Sequence, residues 1–457
     1  MRVYTRLGVL ALSIFLGSTF LTILPQSQYT QHLRKIENGV KGGFWPWSSG
    51  HAEEESGIRL VVFGDSWVDD RMEENGEGKG RSWTQVLCEE LRCTSQTNLA
   101  ASLPAASYST MTPTGAFAST KSYLASIRNT SGHNATLETM LPDFEAQIKS
   151  FVALPQPEHK LKETIFVISF GTWDVWHYAA LNYSDALVAQ EKAVADMFVQ
   201  LDKLYAHHRA TLEATHLSEN EHNGSRSAPK PQFRVVIPKL FDPTMLPGWL
   251  SQRPPPMKPS NVAEVQKNAI HLLREWDAQV EHSIKSWFAS TPKATTSSVS
   301  AKPKQEKVVS LVEEIQGPSR GRKSAKKLQG NAGMSPPRKD IFYYDLNQFL
   351  TEIILEHRLE DGGISDATGL GTQESPYVSV SDPCLREGDS GGERRMAKGG
   401  GSMEETGDAL EINGYLVCES PDEHLFWDDF TIGGLAKEKL GREVARMIKQ
   451  GLTLRAT

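Results

Sequence analysis

Chemistry in this chain has its best starting point at Ser66, which closes the run Leu60-Val61-Val62-Phe63-Gly64-Asp65-Ser66. A serine hydroxyl at the carboxyl end of a buried strand is placed to attack a carbonyl, because ligands of open α/β sheets bind just beyond those strand ends. Gly64 permits a sharp turn there. The residues after Ser66 are expected to open a helix whose N–H groups face a developing negative charge. The same tripeptide also reads as an ordinary Asp/Ser helix cap after a strand.

Holding such a residue in place takes a sheet and helices that cover it, and the chain supplies both in alternation. Ser82 to Leu91 carries the spacing of a first helix, with Trp83, Val86 and Leu87 on one side. Met140 to Leu154 predicts a second helix, which leads into the apolar strand Glu163 to Phe170. Asp185 to His207 is helical in spacing, Phe233 to Pro238 is a strand, and Asn261 to Phe288 is a long helix. Ile341 to Asp345 resumes the sheet, Leu346 to His357 is helical, and Leu435, Leu440, Val444, Met447 and Ile448 mark a closing amphipathic helix. Alternation of this kind predicts a parallel sheet with helices on both faces.

Several blocks, taken in order, resemble the GDSL/SGNH ester hydrolases. Gly64-Asp65-Ser66 matches the first block of that family. Asn98-Leu99-Ala100 resembles the second, although the loop glycine that follows in the family is absent. Gly171-Thr172-Trp173-Asp174 resembles the third, with Trp173 where the family has an Asn whose amide supplies an oxyanion donor. Glu423 to Thr431 resembles the last block, in which Phe426-Trp427-Asp428 is followed by Thr431 at the position of the catalytic His. The likeness covers most of the chain from about Arg59 onward.

The resemblance implies a three-layer α/β/α, flavodoxin-like SGNH-hydrolase fold and a serine ester hydrolase of an acylated lipid or carbohydrate. Ser66 would attack the acyl carbonyl. Oxyanion donors would be the Ser66 N–H, the Leu103 N–H in place of the missing glycine, and the single N–H of the Trp173 indole. In the family, His takes the serine proton and Asp orients the imidazole. Thr431 cannot do this near neutral pH. His424 is the nearest substitute, with Asp428 to orient it, provided that the intervening loop folds back, since four extended residues span up to roughly 13–14 Å. His177 is a second candidate base, and Trp173 with Trp176 would suit a sugar ring or plain core packing. The competing reading is a binding module that keeps the cleft without the catalytic machinery.

Composition sets the remaining bounds. The chain has 457 residues, 39% of them hydrophobic, and a formal net charge of −7, so a packed core is feasible and nucleic acid has no global electrostatic support as a partner. Residues 1–25 read as a signal anchor or signal peptide, because Arg2 and Arg6 precede an uncharged run from Leu7 to Leu24 near the length limit of a membrane span. Residues 26–58 read as a stalk, and 59–457 as the globular domain. Low-complexity insertions interrupt that domain at about 291–339 and 360–407.

Asn129, Asn134, Asn182 and Asn223 open glycosylation sequons on one side of the N-terminal segment. The expected location is therefore a single-pass membrane protein with a lumenal or extracellular domain, or a secreted protein. Cys88 with Cys93 and Cys384 with Cys418 are expected to pair locally in an oxidising compartment, and four reduced thiols are the alternative. No Gly-rich phosphate loop, His-x-x-x-His pair or Cys-x-x-Cys pattern is present, so no cofactor or metal is implied.

Overall fold

A computed structural model describes residues 57–70, 80–103, 115–131, 140–155, 161, 163–220, 232–256, 260–289, 336–363, 375–387, 410–412 and 415–453. The expected N-terminal anchor and nearly all of the stalk lie outside those residues, as do 291–335 of the basic insertion. Among the described residues no helix is long and apolar enough to cross a membrane.

Apolar runs become strands where the sequence predicts them. Strands β1 (Ile58–Gly64), β2 (Ser95–Asn98), β3 (Glu163–Ser169), β4 (Gln232–Pro238) and β5 (Arg338–Tyr344) form one parallel sheet in the order β2-β1-β3-β4-β5. β1 and β3 are neighbours in register, with Val61 opposite Phe166 and Gly64 opposite Ser169. Leu60 to Phe63 and Ile165 to Ile168 are buried, as strands covered on both faces must be.

The helices are α1 (Trp83–Glu90), α2 (Thr120–Ser131), α3 (Phe144–Val152), α4 (Thr172–Tyr178), α5 (Tyr183–Asn220), α6 (Trp249–Gln252), α7 (Val262–Ala289), α8 (Leu346–Asp361) and α9 (Gly434–Gln450). The chain leaves β1 in one direction to form β2 and returns past it to form β3. Right-handed crossovers therefore put α1 on the opposite face from the helices that follow β2. In agreement, α1 packs on α9, while α5 packs on α2, α3, α4 and α7. Gly441 permits the α1–α9 approach, since a Cβ there would stand 2.6 Å from the Trp83 carbonyl oxygen.

Three expectations need correction. The described residues after Ser66 form a tight turn, closed by Val68 N–H and Asp69 N–H on the Asp65 carbonyl, each at 3.1 Å, and not a helix. The stretch 360–407 is not wholly a low-complexity loop, because it contains β6 (Ser379–Pro383) and β7 (Leu385–Glu387). β6 pairs in parallel with β10 (His424–Phe426), and β7 joins β8 (Leu410–Ile412) and β9 (Tyr415–Val417) in a small antiparallel sheet ordered β7-β9-β8. Finally, Cys384 and Cys418 are bridged as expected, but Cys88 and Cys93 are free thiols.

Candidate functional site

The site is assembled at the carboxyl ends of β1 and β3. Gly64 has no room for a side chain, since a Cβ would lie 2.4 Å from Val68 Cγ2 and 2.6 Å from the Ser169 carbonyl oxygen. Gln147 of α3 fixes that glycine from the side. Its Oε1 accepts from Gly64 N–H and its Nε2 donates to the Gly64 carbonyl, both at 2.9 Å. Beyond it, Trp67 N–H donates to Asp65 Oδ1 at 3.0 Å, Trp83 Nε1 donates to the Trp67 carbonyl at 3.0 Å, and Asn98 Nδ2 donates to the Val68 carbonyl at 2.6 Å. Ser66 is thereby held in a turn stapled to β3, α1 and β2, and is 6% exposed.

Trp173 reaches Ser66 from the other strand end. Gly171 caps α4 with φ 120°, a conformation that favours glycine, and the helix starts immediately after β3. Trp173 Nε1 then donates to Ser66 Oγ at 3.1 Å. Trp176 and Phe430 lie beside the Trp173 indole, with ring centroids 5.9 and 5.2 Å from it. Gly115 closes the remaining side: a Cβ there would fall 1.9 Å from Trp173 Nε1. Neither Gly115 nor Gln147 is singled out by any local motif, because each acts on a residue far away in the chain.

Ser66 N–H, among the described residues, makes no hydrogen bond, whereas Leu103 follows Ser102, which bridges Gly115 in antiparallel fashion. Leu103 follows a segment tied to the site, since Ala101 N–H donates to the Gly64 carbonyl at 3.1 Å and Ser102 Oγ to Asp69 Oδ2 at 2.8 Å.

The C-terminal block is a hairpin whose turn faces the site. Phe426 bridges Ile432, Trp427 N–H donates to the Thr431 carbonyl at 2.9 Å, and Phe430 at the turn carries the contact with Trp173. Asp428 Oδ1 accepts from Phe430 N–H at 2.9 Å and Thr431 N–H at 2.7 Å, so this carboxylate shapes its own turn. Thr431 is buried, and its hydroxyl has no hydrogen-bond partner. His424 opens the extended strand β10, at the far end from the Asp428 turn, and its Nδ1 stands 3.1 Å from the Asp382 carbonyl oxygen of β6. The structure therefore brings Ser66 and Trp173 into contact, links Asp428 to Trp173 only indirectly through the Phe430 turn, and joins His424 to neither Ser66 nor Asp428 by a hydrogen bond.

Buried ionisable groups surround this junction. Burial pushes the Asp65 carboxyl up to about 8, with the Asp174 charge adding to the effect, and Asp65 Oδ2 has no partner. Burial likewise raises Asp174 to about 7, although its Oδ2 accepts from Ala118 N–H at 2.9 Å. His177 is enclosed by Phe117, Tyr123 and Trp173 at ring distances of 5.4, 5.6 and 6.4 Å. Burial alone lowers its pKa to about 3, so it is neutral at ordinary pH, and its Nε2 has no hydrogen-bond partner. Among the described residues no cluster of His, Cys, Asp and Glu is arranged to hold a metal ion.

Comparison of the chain with protein-family models and with curated proteins returns no match.

Proposed function

We propose that this chain is an SGNH-type α/β/α protein that binds an acyl ester or carboxylate group at Ser66 without cleaving it. One observation carries the reading. Among the described residues, the hydrogen-bond partner of Ser66 Oγ is Trp173 Nε1, a donor with no acceptor capacity, so nothing stands ready to take the serine proton. Loss of a general base costs about 10²–10⁴-fold in rate, and the buried Thr431 at the family His position cannot supply one. What remains is a recognition site. The Ser66 N–H and the Ser66 hydroxyl proton are donors suited to the oxygen of an ester or carboxylate.

The strand order is that of flavodoxin-like sheets, in which ligands bind where β1 and β3 diverge, and Ser66 and Trp173 meet at that point. The Cys384–Cys418 bridge supports a place in the secretory pathway or outside the cell.

A second reading, ester hydrolysis through Ser66, is favoured by the unpaired Ser66 N–H beside the indole N–H, two donors of the kind an oxyanion hole needs. The two readings diverge under a fluorophosphonate serine probe applied to the full chain and to Ser66→Ala. The binding reading expects no capture, together with saturation-transfer contact between the protein and ethyl butyrate that leaves the ester intact. Probe capture by wild type that is absent in Ser66→Ala overturns it and establishes an activated nucleophile.

A further inference from the structure

The carboxyl end of α1 is closed by a pair of hydrogen bonds that bring two cysteines together. Arg92 N–H donates to the Glu89 carbonyl at 2.9 Å, and Cys93 N–H donates to the Cys88 carbonyl at 2.8 Å. Arg92 turns the chain with φ 55°, so α1 ends in a Schellman motif. In that motif the side chains at the positions of Cys88 and Cys93 normally touch as an apolar contact. Here both are thiols, partly buried against the main core and partly open to solvent. They share a hydrogen bond, which favours the thiolate at Cys88 and the protonated thiol at Cys93.

We propose that Cys88 and Cys93 form a reversible dithiol–disulfide site that exchanges with a small disulfide of the oxidised-glutathione class. The Cys88 thiolate attacks one sulfur of that disulfide and expels one glutathione thiolate, leaving a mixed disulfide on Cys88. Cys93 gives up its proton, attacks Cys88 Sγ and expels the second glutathione. Two protein thiols and one oxidised glutathione thus become one protein disulfide and two reduced glutathiones. Reversibility follows from access. Cys88 and Cys93 are both partly open to solvent, whereas Cys384 of the other bridge is buried, so a small thiol reaches the Cys88–Cys93 bond more readily.

The test equilibrates the full chain against a series of reduced-to-oxidised glutathione ratios, blocks free thiols with N-ethylmaleimide and digests with trypsin. Cleavage after Arg92 separates the two cysteines, so peptides 82–92 and 93–121 remain joined only when the bridge has formed. The expected result is a joined species that rises and falls reversibly with the ratio, and that a brief dithiothreitol pulse removes while Cys384–Cys418 persists. In Cys93→Ser, glutathione is expected to be trapped on Cys88. Alkylated Cys88 and Cys93 at every ratio would overturn the proposal. So would glutathione adducts without joined peptides in the wild-type chain, or pairing of either residue with Cys384 or Cys418.

Discussion

Ser66 differs from an activated nucleophile in what stands on its hydroxyl. An imidazole in that place accepts the proton, whereas the Trp173 indole only donates, so the bond orders the serine oxygen without activating it. If this bond has the energy of an ordinary buried hydrogen bond, a double-mutant cycle of Ser66→Ala with Trp173→Phe returns a coupling of about 1 kcal/mol by urea unfolding. A coupling indistinguishable from zero would mean that the contact does not order the site. Gly115 gives a second handle on the same bond. Its missing Cβ leaves the space that Trp173 Nε1 uses, and Phe430 and Trp176 block the indole from retreating. Gly115→Ala is expected to destabilise the chain by about 1–3 kcal/mol, the range of an overpacked core. Repeating the cycle in that background checks the mechanism: the Ser66–Trp173 coupling should vanish along with the lost stability.

At the scale of elements, legibility in the sequence follows burial. β1, β3 and β4 read correctly because strands covered on both faces are nearly continuous apolar runs, and α7 and α9 read correctly because each buries one stripe. β2, Ser95–Asn98, is a polar edge strand that owes its existence to pairing with β1, and no local signal marks it. β6 is a Ser/Asp/Pro segment that becomes a strand only because β10 and the Cys384 bridge hold it. The site divides the same way. Ser66 and Trp173 stand at the ends of legible strands, while Gln147 and Gly115 matter only through contacts the fold creates. Gln147 tests this directly. Gln147→Leu leaves the buried Gly64 N–H without its partner, at an expected cost of about 1–3 kcal/mol in urea unfolding. Gln147→Glu should be worse at neutral pH, since its carboxylate faces the Gly64 and Pro142 carbonyls, and should recover partly in acid. A neutral effect of both substitutions would remove Gln147 from the support of the site.

Over the whole molecule, the buried ionisable groups set a pH dependence whose sign can be worked out. Asp65 and Asp174 have folded pKa values near 8 and 7, above the ordinary 3.8, so the folded state holds protons that the unfolded chain releases. Their contribution is complete below about pH 4 and is lost as pH rises through 7 and 8. His177 and His208 are lowered by burial to about 3 and about 4, so their contribution is present above about pH 6.5 and is lost as pH falls. Each group acts with a slope of about 1.4 kcal/mol per pH unit between its unfolded and folded values. From pH 4 to 6.5 the two histidines therefore offset Asp65 and Asp174, while Asp277 and Asp429, raised by burial to about 6, add a decline of their own. Above pH 6.5 the histidines no longer compensate. Among the described groups Asp65 and Asp174 then dominate, and stability should fall by about 2–3 kcal/mol between pH 6.5 and 8. Most of that fall belongs to Asp65, whose neutral form Asp65→Asn reproduces in shape. The variant should match wild type below about pH 4 and exceed it by a margin that grows up to pH 8, with a nearly flat profile above pH 7. Urea unfolding at half-unit pH steps decides the matter. An Asp65→Asn profile that declines in parallel with wild type would show that Asp65 stays ionised beside Ser66, and that the charge around the site is carried by another group.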